Sequence, residues 1–178
     1  YMFTSTSKIS FAGGGVSAIA SGEENLAFYK KLLSYQTIGH DKLNQLRHAR
    51  YYKNLEGVAA HMEKYMALLV PKFETVCTKL KDGLSATGIA EWNEPKGGYF
   101  VSVDLLPGCA KRTVALCKDA GLILTPAGAT FPYGMDPNDS NIRISPSFPH
   151  IEQLAEAMDV FCTSAKLAAV EKLLAQDK

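Results

Sequence analysis

Ser5-Thr6-Ser7-Lys8, continued by Ile9-Ser10-Phe11-Ala12 and the triplet Gly13-Gly14-Gly15, decides how the rest of the chain is read. A lysine works as nucleophile or base only as the neutral amine, so a functional one needs surroundings that lower its basicity. Here it stands among small hydroxyl residues, which can bind phosphate, and glycines, which let backbone approach a ligand closely. That setting suits a Schiff base between Lys8 and pyridoxal 5'-phosphate. The four-residue motif is weak on its own, and its competing reading is a solvated lysine on a hydroxyl-rich turn. Lying so near residue 1, it leads to the expectation that the chain opens partway through its own active site.

Composition narrows the field. The 178 residues are 47% hydrophobic and 21% charged, which is ordinary for a globular chain and long enough for one sizeable core or two small lobes. Nineteen basic and eighteen acidic side chains give a formal net charge of +1. This balance gives no footprint for a nucleic-acid or membrane-surface binder and favours a small-molecule role. Cys77, Cys109, Cys117 and Cys162 have no C-x-x-C spacing and sit in apolar segments, so they read as reduced core thiols rather than disulfide or zinc ligands. No apolar run approaches membrane-spanning length and no signal-like stretch opens the chain, so the expected location is cytoplasmic.

Along the chain, Tyr1 to Thr4 reads as a strand end feeding the lysine turn. A short helix follows from Glu23, a second runs from about Lys42 to Lys53 behind the cap Asp41, and the clearest helix follows Gly57. There Val58, Met62, Met66, Leu69, Val70, Phe73, Val76, Cys77 and Leu80 recur at three- and four-residue steps. Pro71 lies inside that pattern and predicts a kink or break near Leu69 to Pro71. Short strands are expected at Ile89 to Trp92, Tyr99 to Leu105, Leu122 to Leu124 and Asn141 to Ser145, with helices from Ala110 to Ala120 and from about His150 to Leu174. The alternation of Ile142 and Ile144 about Arg143 puts the arginine on the opposite strand face from two apolar side chains.

Three features now stand in order: the Lys8 motif, Pro95-Lys96-Gly97-Gly98-Tyr99-Phe100, and Asn141-Ile142-Arg143-Ile144-Ser145, whose arginine lies 135 residues after the lysine. Together they resemble the fold-type I pyridoxal-phosphate aminotransferases of class I/II, over the whole chain. The likeness is strongest to a bacterial subgroup of aspartate aminotransferases, carried by Ser5 to Ile9, by Ile38-Gly39-His40-Asp41-Lys42-Leu43-Asn44-Gln45-Leu46-Arg47-His48, and by Leu124-Thr125-Pro126-Ala127-Gly128-Ala129-Thr130-Phe131-Pro132. The resemblance implies an α/β to α+β fold. Residues 1–68 would be the tail of the large pyridoxal-phosphate-binding domain with a long linking helix, and residues 69–178 a small α+β C-terminal domain. It also implies that Lys8 bonds the cofactor, that Ser5 binds its phosphate with Ser7 as a helper, and that Arg143 grips the substrate carboxylate. The implied reaction moves an amino group between an amino acid, aspartate or glutamate among them, and a 2-oxo acid, in a homodimer of the full-length enzyme.

The sequence departs from the family pattern at one point. Many relatives carry a phosphate-binding arginine eight residues after the lysine, and Val16 stands there; backbone amides of Gly13 to Gly15 are the expected substitute. No Asp or Glu precedes Lys8 to meet the pyridine nitrogen, so the chain is expected to be the C-terminal part of the enzyme, inactive in isolation and rich in exposed apolar surface. The competing functional class is a noncatalytic aminotransferase-like module that binds ligands or serves a regulator. His40, His48, His61 and His150 lack metal-ligand spacing and read as capping or surface residues.

Overall fold

The computed structural model describes residues 1–176; the last two positions of the segment 69–178, Asp177 and Lys178, lie outside the described residues. The chain divides into two compact units, Tyr1–Ala67 and Leu68–Lys178. In the first unit, strand β1 (Met2–Ser5) pairs antiparallel with β2 (Ser17–Ala20), from Met2 opposite Ala20 to Ser5 opposite Ser17. Helix α1 (Glu23–Gln36) starts with Glu23 and Glu24, which complement the positive end of its dipole. Helix α2 (Lys42–Tyr52) is capped as its sequence suggested: Asp41 Oδ1 accepts from the Asn44 amide at 2.9 Å.

Among the described residues of this unit Tyr52 is the single buried hydrophobic side chain, whereas Phe3, Tyr35, Ile38, Leu43 and Leu55 stand exposed. Ring contacts fill its interior. Phe11 meets His48, Tyr51, Tyr52 and His61 at centroid distances of 5.2 to 5.9 Å, and His61 meets Tyr65 at 4.9 Å. His61 is thus no surface histidine: both its ring nitrogens are buried among these rings. Burial, with Tyr51 and Tyr65 close by, pushes the Tyr52 phenol above its ordinary range.

Helix α3 (Leu55–Leu84) runs for 30 residues with Pro71 inside it, so of the expected kink or break the break does not occur. Proline in a helix interior costs about 3 kcal/mol. Val76, Leu80 and Leu84, all fully buried on one face, outweigh that cost through packing.

The second unit has the conventional core. Strands β3 (Ala90–Trp92), β4 (Val101–Leu105) and β5 (Asn141–Ile144) form an antiparallel sheet in that order. Val101, Val103, Leu105, Ile142 and Ile144 pack with Val76, Leu80 and Leu84 of α3, Cys117 of α4 (Ala110–Asp119), and Leu154, Met158 and Phe161 of α5 (Ile151–Gln176). Gly83 permits α3 to approach α5 closely, since a Cβ there would lie 2.8 Å from Cys162 Sγ. Cys109, Cys117 and Cys162 are buried free thiols and Cys77 is half-buried; desolvation pushes Cys162 up to about 11. The expected strand at Leu122 to Leu124 is absent. The Leu122 amide closes α4 on Cys117 O at 2.8 Å, and Pro126 removes a donor just beyond. β2 is the strand that sequence patterning missed, four residues too short to alternate visibly.

Phe161 is the largest fully buried side chain. Phe161→Ala is expected to destabilise the second unit by about 3–5 kcal/mol, measured by denaturant unfolding monitored at Trp92. A loss below about 1 kcal/mol would contradict this account of the core.

Candidate active site

The lysine sits on a turn whose backbone is closed twice: Ile9 and Ser10 amides both donate to Thr6 O, at 3.0 and 2.8 Å. On the strand side Thr6 donates its amide to Val16 O at 2.8 Å, which clamps the turn to the residue that precedes β2. Ser5, Ser7 and Lys8 are grouped in this one turn, Ser7 and Lys8 exposed and Ser5 at its strand end. Ser5 Oγ lies 2.7 Å from Ser7 Oγ and accepts from the Ser7 amide at 3.1 Å. Gly15 backs directly onto Ser7, whose Oγ a Cβ at position 15 would overlap. Gly15 is thus the member of the triplet that a close approach within the turn requires.

Of the triplet's amides, that of Gly14 is already taken within the turn. Gly14 donates its amide to Phe11 O at 3.0 Å, and the Val16 amide is taken by Thr6 Oγ1 at 2.8 Å. The carbonyls of Gly14 and Gly15 are held instead by Asn44 Nδ2, at 2.8 and 3.4 Å, from the buried side of α2. Sequence patterning assigns Asn44 no role; its one signal is the family-like run around it. Exposed on this turn are the neighbouring hydroxyls of Ser5 and Ser7 and the primary amine of Lys8. Hydroxyls both donate to and accept from phosphate oxygens, and a primary amine can bond an aldehyde carbon, so this donor set fits pyridoxal 5'-phosphate. Among the described residues no cluster of His, Cys, Asp and Glu could hold a metal ion.

Arg143 belongs to the second unit and lies in the middle of β5, opposite Ser102 of β4. Ile142 and Ile144 are buried on the other face, so the alternation expected from sequence holds. Arg143 Cζ sits 4.3 Å from the centroid of the Phe100 ring, a cation–π contact, and its Nε is buried without a hydrogen-bond partner. Its strand is fixed next door by Asn141, which is buried. Asn141 Nδ2 donates to Ser102 Oγ at 2.9 Å and Asp104 Oδ1 at 2.8 Å, its Oδ1 accepts from Thr130 Oγ1 at 2.7 Å, and its amide donates to Asp136 Oδ2 at 2.8 Å. The amide of Asn141 first, with those of Ser140 and Asn138, holds the Asp136 carboxyl below the usual range. This network explains why Thr130 and Asn141 accompany Arg143.

The sequence model of the family described as aspartate amino-transferase matches residues 1–177. The chain belongs to the aspartate aminotransferase family. Among its relatives in this family, a Mycolicibacterium smegmatis protein named for aminotransferase activity is 51% identical over 173 residues, covering 97% of this chain and 40% of the relative. A crystal structure of an aspartate transaminase from Corynebacterium glutamicum superposes with a TM-score of 0.90 at 46% identity, over 96% of this chain and 40% of that one. The chain thus spans about two fifths of the length of these relatives. The α-aminoadipate aminotransferase LysN of Thermus thermophilus, solved with N-(5'-phosphopyridoxyl)-L-leucine, shares the fold at 20% identity, with a TM-score of 0.76 over 93% of this chain and 41% of its own. No described helix is long and apolar enough to cross a membrane.

Proposed function

We propose that this chain is the part of a pyridoxal-phosphate-dependent aminotransferase that carries the reactive lysine and the substrate arginine. In this reading residues 1–68 complete the cofactor domain and residues 69–178 form the small domain. The observation that carries it is the family match through residues 1–177 with Lys8 presented beside two neighbouring hydroxyls on a doubly closed turn. When bound, pyridoxal 5'-phosphate supplies an aldehyde that bonds amines and a ring that withdraws electrons. Ser5 Oγ and Ser7 Oγ bind its phosphate. Lys8 Nζ would accept the proton from the substrate Cα, becoming an ammonium, a step that needs the neutral amine beforehand. Arg143 orients the amino acid by gripping its carboxylate with paired N–H donors.

The proposed substrates are aspartate or glutamate with a 2-oxo acid, and the proposed working form is a homodimer. The test uses the complete protein that contains this chain, loaded with cofactor and reduced with borohydride. The label is expected on Lys8, and aspartate or glutamate added beforehand is expected to prevent it and to shift the visible absorbance. A label on any other lysine overturns the assignment.

A further inference from the structure

We propose that His48 is a positioning residue for Lys8, holding the lysine turn against α2 through the hydroxyls of Thr6 and Ser10. This rests on the reading of Lys8 as the cofactor lysine. His48 is half-buried on α2, and its two ring nitrogens face different elements. Nδ1 lies 2.9 Å from the carbonyl oxygen of Asn44, which can only accept, so Nδ1 carries a proton and donates it. That bond fixes the ring on its own helix and aims the other edge outward. Nε2 lies 3.0 Å from Ser10 Oγ and 3.4 Å from Thr6 Oγ1.

These two hydroxyls are the ones that define the turn. Ser10 Oγ donates to Thr6 Oγ1 at 3.0 Å, and Thr6 Oγ1 also accepts the Val16 amide at 2.8 Å. Thr6 and Ser10 bracket Lys8 at both ends of its turn. One imidazole therefore gathers three separate stretches: α2, the lysine turn, and the segment entering β2. Phe11 packs edge-on against the same ring at 5.2 Å. Thr6, Ser10 and His48 also wall a cavity of about 410 Å³ with Ile9, Tyr52 and Val58. A lysine that must reach one carbon atom of a ligand loses effective concentration when its turn wanders. The residue acts through Thr6 and Ser10 and touches no reacting atom.

The test compares wild type, His48→Ala, His48→Gln and Ser10→Ala in the complete protein. Gln can place a polar atom near the position of Nε2, whereas Ala cannot. In cofactor-free protein, hydrogen exchange at the Ile9, Ser10 and Val16 amides is expected to quicken about five- to tenfold in His48→Ala and Ser10→Ala, with β4 and α5 unchanged. At fixed, sub-saturating pyridoxal phosphate, borohydride labelling of Lys8 is expected to fall about tenfold in those two variants and to recover within about twofold in His48→Gln. Unchanged exchange in both variants, or labelling equal to wild type, overturns the proposal. So does a loss of labelling that His48→Gln leaves unrelieved. Should His48→Ala fail to fold, Ser10→Ala, which deletes one oxygen, decides between the same two outcomes. A wild type that takes no label on Lys8 counts against the lysine reading, and the exchange measurement still decides the role of His48.

Discussion

Lys8→Ala in the complete, cofactor-loaded protein is expected to lower the transamination kcat by about four orders of magnitude or more. Proton transfer by a positioned side chain alone contributes about 10²–10⁴-fold, and loss of the covalent attachment that readies the cofactor adds to it. Lys8→Arg is expected to do no better, because a guanidinium stays protonated and offers no lone pair for bonding or for taking the Cα proton. The fold gives a clean control. Lys8 is exposed on a turn closed by backbone and by Thr6, so its truncation is expected to leave the melting temperature within about 1–2 °C. Small primary amines added to the Lys8→Ala protein are expected to restore part of the activity, since they supply the missing base. Retention of more than about 1% of wild-type kcat by Lys8→Ala would sink the assignment.

The second large effect concerns Arg143. Removing one partner of a charge-assisted, paired hydrogen bond costs about 2–5 kcal/mol, so Arg143→Leu is expected to lower kcat/KM for amino acids by about 10²–10³. The loss should fall mainly on KM, as expected for a contact made before and during proton transfer. Arg143→Lys keeps the charge and loses the fork, and an intermediate defect is expected. Primary amines without a carboxylate provide the decisive comparison: their slow reaction is expected to be the same in Arg143→Leu and wild type. An equal loss on both substrate classes would mean that Arg143 serves the fold instead. Its contact with Phe100 at 4.3 Å contributes on the order of 0.5–1 kcal/mol, so a modest drop in stability accompanies either variant.

The parts of this molecule that sequence revealed are those with a strong local signal. Asp41 announced the start of α2, and the apolar rhythm from Val58 to Leu80 announced α3. Ile142 and Ile144 set the face of Arg143 because a strand has period two. Pro71 did not end α3 because a local penalty of about 3 kcal/mol competes with burial that only the folded unit displays. Leu122 to Leu124 misled because β-favouring residues were released by a helix end and a proline and found no partner strand. The lysine turn is legible in the chain, but its supports are not. Asn44 and His48 lie 36 and 40 positions beyond Lys8, on a helix whose polar residues look like any solvated face. A buried side-chain bond to a distant carbonyl leaves no periodic trace in the chain.

The register of the two sheets separates the chemical groups in time. Ser5 and Ser17, which close the strand pair at the lysine turn, are 12 positions apart, and Trp92 and Val103, the innermost β3–β4 pair, are 11 apart. Asp104 and Asn141, the innermost β4–β5 pair, are 37 apart, with all of α4 between them. Closing the longer loop costs more chain entropy, by (3/2)RT ln of the length ratio. On loop entropy alone, the turn bearing Lys8 is expected to close before β5 pairs with β4, an order that pulse-labelling hydrogen exchange at the Thr6 and Val103 amides would read.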